Sequence, residues 1–273
     1  MLKQRIITAI CLILPVVAAV LWLPTGWLVW PLALIAALTA WEWTGLYRNS
    51  RGVRWLYSIA AAMLVVAGFV LLPASILGSI VLIGAVAWLL APLLLVAYER
   101  GTWQRQPRSA LMAVAGLLLL LPAWLGLLAL HQYAVGGSGW VLFLFVLIWG
   151  ADSAAYFAGR RWGRRRLAPR ISPGKTLAGL TGALLSGVLL ALLTAVFWQP
   201  GAAMTLGLLA LTLITVIISV VGDLVESLCK RQAGVKDSGN LLPGHGGLLD
   251  RIDSMMAATP VFVTGLWLLG VVQ

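Results

Sequence analysis

Residues 76–97 read ILGSIVLIGAVAWLLAPLLLVA, twenty-two positions without an Asp, Glu, Lys or Arg. As a helix rising about 1.5 Å per residue, this run is about 33 Å long and matches the hydrocarbon core of a bilayer. Working outward, similar apolar runs occupy 6–23, 26–42, 56–72, 110–130, 140–158, 177–198, 203–222 and 254–272. At about 20 residues per crossing, nine spans use about two thirds of the chain and leave no room for a soluble domain. Composition agrees: 62% of the 273 residues are apolar and 10% charged, against roughly 45–50% and about 25% in soluble domains. Mean hydropathy is +1.01. The sequence is that of an all-α, polytopic integral membrane protein. A soluble enzyme, a disordered tail and a secreted disulfide scaffold are excluded.

The net charge of +11 would suit nucleic acid, but its distribution points to the membrane. All 19 Lys and Arg fall in alternate gaps between spans. Lys3 and Arg5 precede the first span; Arg48, Arg51 and Arg54 follow the second; Arg100, Arg105 and Arg108 follow the fourth. Seven basic residues run from Arg160 to Lys175, and Lys230, Arg231, Lys236 and Arg251 separate the last two spans. The other gaps hold none. Basic residues near span ends stay cytoplasmic, which predicts nine helices with the N-terminus inside and the C-terminus outside. No nucleic-acid partner is expected. The first span reads as an uncleaved anchor rather than a signal. Cys11 and Cys229 lie too far apart to pair, and His131 reads as an interfacial residue of an outer loop.

Charge also divides the chain. Residues 1–139 hold two acids, Glu42 and Glu99, each near the inner end of a span, and read as a five-helix scaffold. Residues 140–273 hold the other six, Asp152, Asp223, Glu226, Asp237, Asp250 and Asp253, all reachable from the cytoplasm. They read as the catalytic region, with cytoplasmic loops at 159–176 and 223–253.

The stretch from Asp223 to Asp253 is GDLVESLCKRQAGVKDSGNLLPGHGGLLDRID from Gly222 onward. If the eighth helix continues inward, Asp223, Ser227 and Lys230 share one face. GVKDSGNLLPGHGG is rich in helix breakers and reads as a loop. Asp250 and Asp253, three apart, complement the positive end of the ninth helix. Gly246 and Gly247 leave backbone N–H groups unshielded, as a phosphate nest requires. Carboxylates without thiolates or paired histidines suit a hard ion such as Mg²⁺. Interleaved Lys and Arg make sense if that ion is shared with phosphates.

A second constellation is WGADSAAY (149–156), followed by GRRWGRRRLAPRISPGKT. Asp152 lies inside the membrane end of its helix, with Tyr156 one turn on, and an intramembrane carboxylate defaults to function. SPGKT (172–176) resembles the tail of a P-loop, but Pro169 stands where GxxxxGK[ST] needs its first glycine and no strand is expected before it. A basic turn for a phosphate or anionic head group remains, with Ser172 and Lys175 its candidates.

These residues resemble the phosphatidate cytidylyltransferases (CDP-diacylglycerol synthases). The family signature is matched from Ser227 through Lys230-Arg231, Lys236-Asp237, Gly239, Leu242-Pro243 and His245-Gly246-Gly247 to Asp250-Arg251-Ile252-Asp253, with Cys229 the one departure. The resemblance covers roughly 149–253. It implies transfer of a cytidylyl group from CTP to phosphatidate, giving CDP-diacylglycerol and pyrophosphate for phospholipid biosynthesis, with Mg²⁺ required and a second cation left open. By that resemblance Asp223 and Asp250 hold the metal, with Asp253 and Glu226 beside them. Lys230, Arg231, Lys236 and Arg251 hold the triphosphate and the lipid phosphate. Asp237 orients Lys236, His245 donates a hydrogen bond to phosphate or ribose, and Asp152, Ser172, Lys175, Ser227, Gly246 and Gly247 line the substrates.

Lipid would enter from the inner leaflet of a bacterial cytoplasmic membrane and CTP from the cytosol. An odd span count and small helix residues are compatible with a homodimer. The rival readings are a proton-coupled transporter built on Asp152, or a CTP-dependent lipid kinase. Against transport, no charge lies on the outer face or in the interior of the other spans, where a translocation path needs several buried polar groups.

Overall fold

The computed structural model describes residues 13–47, 49–103, 109–241 and 246–272. Lys3, Arg5, Cys11, Arg48, Arg105, Arg108 and His245 lie outside them. The described chain forms α1 (Ile13–Trp22), α2 (Thr25–Leu46), α3 (Arg51–Leu71), α4 (Ala74–Glu99), α5 (Ser109–Tyr133), α6 (Gly137–Trp162), α7 (Leu177–Trp198), α8 (Ala202–Ala233) and α9 (Leu249–Leu268). Six of these, α3 to α8, are long and apolar enough to cross a membrane. The protein is a polytopic membrane protein.

Burial explains why α9 is less apolar than its neighbours. It packs against α4, α5, α6 and α8, and Ile252 to Val263 are almost all buried, Pro260 and Thr259 included. Protein rather than lipid surrounds it, so polar side chains are tolerated where they find partners. The opposite case is α7, which buries a stripe of Gly179, Ala183, Gly187 and Ala191. Its Leu185, Leu189, Val196 and Phe197 remain exposed, a face suited to acyl chains. Small residues on the buried stripe let α6 and α7 approach closely; a Cβ on Gly182 would stand 2.6 Å from that of Ala158.

Helix ends gather in two groups, as alternating passes require. His131, in the last turn of α5, accepts or donates at 2.8 Å to Thr25 Oγ1 and at 2.9 Å to the Val20 carbonyl. Ala134 bridges Val272 at that same end. His131 is therefore the tie between α5 and the α1–α2 corner, not an isolated loop residue. At the other end lie the C-termini of α2, α4, α6 and α8 and the N-termini of α7 and α9.

The chain is not wholly helical. Between α6 and α7, β1 (Arg166–Ala168) pairs antiparallel with β2 (Ser172–Thr176), Ala168 opposite Ser172. SPGKT, expected as a turn with no strand before it, is itself a strand that follows one. Thr176 then caps α7, its Oγ1 accepting from Gly179 N–H at 3.1 Å. The hairpin lies against the end of α6, where a Cβ on Gly163 would fall 2.8 Å from Thr176 Cγ2. Of the stretch read as a loop from 223, residues up to 233 continue α8.

Candidate active site

Because α8 runs on past the apolar core, Asp223, Ser227 and Lys230 share one face, and Ser227 Oγ donates to Asp223 Oδ1 at 3.2 Å. The other oxygen of Asp223 pairs with Lys175 of β2 at 2.6 Å. The SPGKT strand and the eighth helix therefore meet through opposite charges. They form one wall of a cleft of about 530 Å³ between α6, α7, α8 and the hairpin. Asp152 and Asp223 both line it, with Lys175, Tyr156, Arg160 and Arg166. The apolar share of its lining comes from Leu167, Leu180 and Val220. Arg160 donates to Tyr156 Oη at 3.1 Å. Arg160 and Arg166 are functional candidates missed in the sequence, and Tyr156 stands beside Asp152 as its spacing there indicated. Arg160 and Arg166 were hidden among seven basic residues that topology alone explained.

Asp250 sits apart from this cleft's lining, in the first turn of α9. Lys230 bridges it to Glu226, 2.6 Å from Asp250 Oδ1 and 2.5 Å from Glu226 Oε2. Removing that lysine would leave the buried Glu226–Asp250 pair without its cation, a loss of roughly 3–5 kcal/mol when such a pair is buried. Asp250 also accepts from Gly247 N–H at 2.7 Å and Ser238 N–H at 3.1 Å. Burial pushes the Asp250 carboxyl up, but hydrogen bonding with Glu226, Lys230 and Gly247 outweighs it and holds the group down at about 2. It is ionised at any working pH.

This corrects the reading of the glycine run. The Gly247 N–H, offered in sequence to a phosphate, is taken by Asp250. Gly246 adopts φ +82°, and a Cβ there would stand 2.9 Å from Asp250 Oδ2. Both glycines are small because a carboxylate lies against them. Arg231 donates through Nε to the Ile171 carbonyl at 3.3 Å, bracing the hairpin against α8. Lys236, Asp237 and Arg251 are exposed, Asp253 is buried and Ser172 half-buried. Asp253 touches α8 through its backbone, where a Cβ on Gly222 would lie 2.5 Å from its carbonyl oxygen.

Two acids of the N-terminal half reach this end as well. Glu42 of α2 accepts from Leu249 N–H at 2.7 Å, Leu248 N–H at 3.1 Å and Ser238 Oγ at 3.2 Å. Glu99 of α4 accepts from Arg170 and Ile171 N–H, both at 3.0 Å, across the hairpin turn. The sequence carried a signal for them: they are the only acids in 139 residues and both end a span.

The profile of the cytidylyltransferase family matches residues 3–269. The chain belongs to the cytidylyltransferase family. It is an enzyme of the nucleotidyltransferase class. Among curated proteins, the phosphatidate cytidylyltransferase of Pseudomonas aeruginosa is 43% identical over 99% of this chain and 98% of its own length. That of Haemophilus influenzae is 36% identical over 96% of this chain and 97% of its own. That of Brucella suis is 38% identical over 94% and 90%. The match to the family runs through α1–α5 as well as the signature, so Glu42 and Glu99 fall within it.

Proposed function

We propose that the enzyme transfers the cytidylyl group of CTP to phosphatidate, giving CDP-diacylglycerol and pyrophosphate. The observation that carries the reading is the cleft lined together by Asp152, Asp223 and Lys175, by Arg160 and Arg166, and by apolar side chains. Such a lining suits a phosphate monoester on a lipid. An oxygen of the lipid phosphate attacks the α-phosphorus of CTP in line, the bond to the β-phosphate oxygen breaks, and pyrophosphate leaves. The nucleophile is already ionised, so no general base is required. Two polyanions must approach one another, and Lys175, Arg160 and Arg166 reduce that repulsion for the lipid. Arg251 and Lys236, both exposed, would hold the triphosphate in this reading.

A Mg²⁺ ion fits the donors at this end. Asp223 and Asp250 supply oxygen only, and each already holds a lysine ammonium at 2.6 Å, so both attract cations. Among the described residues no three His, Cys, Asp or Glu side chains form a ready cage. Mg²⁺ uses one or two carboxylates and completes six oxygens with phosphates and water. When bound it would neutralise charge on the transferred phosphate, with Asp223 and Asp250 as its protein ligands and Asp253 and Glu226 behind them.

Nine crossings with the C-terminus outside are supported by alternate basic gaps and by the two groups of helix ends. The site then faces the cytoplasm at the inner leaflet, and residues 140–273 carry the chemistry. The test is purified enzyme in phosphatidate vesicles with CTP labelled at its α- or γ-phosphate. Lipid-soluble α-label is expected. Lipid-soluble γ-label means a kinase, and no lipid label from either overturns the proposal.

A further inference from the structure

Leu248 precedes α9 and has no side chain able to cap it. The first N–H groups of a helix nevertheless need acceptors when buried. Here the acceptor comes from another helix: Glu42, 2% exposed, binds Leu248 and Leu249 N–H with one oxygen each. Its Oε2 also takes the Ser238 hydroxyl, from the far side of the loop. Two glycines are shaped around this carboxylate. A Cβ on Gly239 would collide with Glu42 Oε1, and one on Gly247 would stand 2.7 Å from Oε2. Asp250, one residue past Leu249, closes the same loop from the other side through Ser238 and Gly247 N–H.

We infer that Glu42 is a positioning residue for cytidylyl transfer, capping α9 from α2 so that Asp250 and its loop are held in register with the Asp223 face of α8. The inference rests on the function proposed above. Glu42 touches no substrate; it acts through the first turn of α9. Charge matters as well as shape. A carboxylate offers acceptors to both N–H groups and complements the positive helix end. An amide at the same place turns one acceptor into a donor facing an N–H.

The experiment compares wild type, Glu42→Gln and Gly239→Ala as purified detergent-solubilised enzymes. Hydrogen exchange is read by peptide, and turnover is read per folded molecule against Mg²⁺ and CTP. Both variants should exchange faster within 238–241 and 246–250, with exchange in 203–222 unchanged. Turnover should fall about ten-fold or more and the half-saturating Mg²⁺ concentration should rise. If Glu42→Gln does not fold, Gly239→Ala carries the same test, because its new methyl group displaces the carboxylate without removing it. Wild-type turnover and Mg²⁺ dependence in a folded variant, whatever its melting temperature, overturns the positioning role. Wild-type enzyme that labels no lipid overturns the function instead, and unchanged exchange then overturns the cap on its own.

Discussion

Gly222→Ala should damage catalysis through a distance that the structure gives directly. The added Cβ would stand 2.5 Å from the Asp253 carbonyl oxygen and 2.7 Å from Ala257 Cβ. That is about 0.9 Å short of the 3.4 Å at which ordinary contact begins. Neither neighbour can rotate away, since one is the backbone of α9 and the other its first side-chain carbon. The two helices must therefore part by nearly 1 Å. Overpacking of this kind costs about 1–3 kcal/mol, enough to lower the melting temperature without abolishing the fold. The displacement falls on the residue before Asp223 and on Asp253 itself, so it separates the two helices that carry the carboxylates. A misplacement of about 1 Å can cost roughly 10²-fold in rate. Cytidylyl transfer per folded molecule should drop by ~10-fold to 10²-fold. Gly187→Ala is the control, because its Cβ would meet the movable side chains of Val216 and Thr212 at 3.1 and 3.3 Å, toward the middle of α7 and α8. Wild-type turnover in Gly222→Ala, with the control equally unaffected, would refute the reasoning.

Asp152→Asn should reduce turnover while leaving the Mg²⁺ requirement close to wild type, as a Mg²⁺ titration of the purified variant would show. A shift as large as that of Asp223→Asn would make Asp152 a ligand. Glu99→Ala removes the acceptor of two N–H groups in the hairpin turn and should raise the KM for phosphatidate several-fold with kcat less affected, measured in mixed micelles. A reporter active only outside the cytoplasm should be active after Gln273 and inactive near Gly234; the reverse pattern overturns the orientation.

Local patterns in the sequence carried much of this structure. The apolar runs located the ends of most helices to within about five residues, because a lipid-facing helix cannot hide a charge, but α8 runs on to Ala233, past the expected end at 222. The i, i+4 spacing of Asp223 and Ser227 put them on one face, where the fold joins them by a hydrogen bond, since a helix fixes that geometry locally. The hairpin was not legible: β1 has three residues, and Pro173 and Gly174 in β2 read as turn formers. It persists because Glu99, Arg231 and the end of α6 hold it from outside. Glu42 lies about two hundred positions from the amides it caps, and no local periodicity reports such a contact. The same distance concealed the reason for Gly239 and Gly247. In sequence Gly247 read as bare backbone awaiting a phosphate and Gly239 only as a position of the signature; in the fold a carboxylate from α2 lies against both. The division into scaffold and catalytic halves is accordingly less sharp than charge alone implied.

The most direct test of the site is the turnover of Asp223→Asn. The substitution keeps the size of the side chain, leaves an oxygen for Ser227 and removes the charge opposite Lys175. It also removes a negative charge from the face of α8 that lines the cleft. Cytidylyl transfer should fall by ~10²-fold or more at every Mg²⁺ concentration, a loss of at least ~2.7 kcal/mol of transition-state stabilisation, in protein that still elutes as a single folded species in detergent. Near-normal turnover in that folded protein would contradict a site built on Asp223.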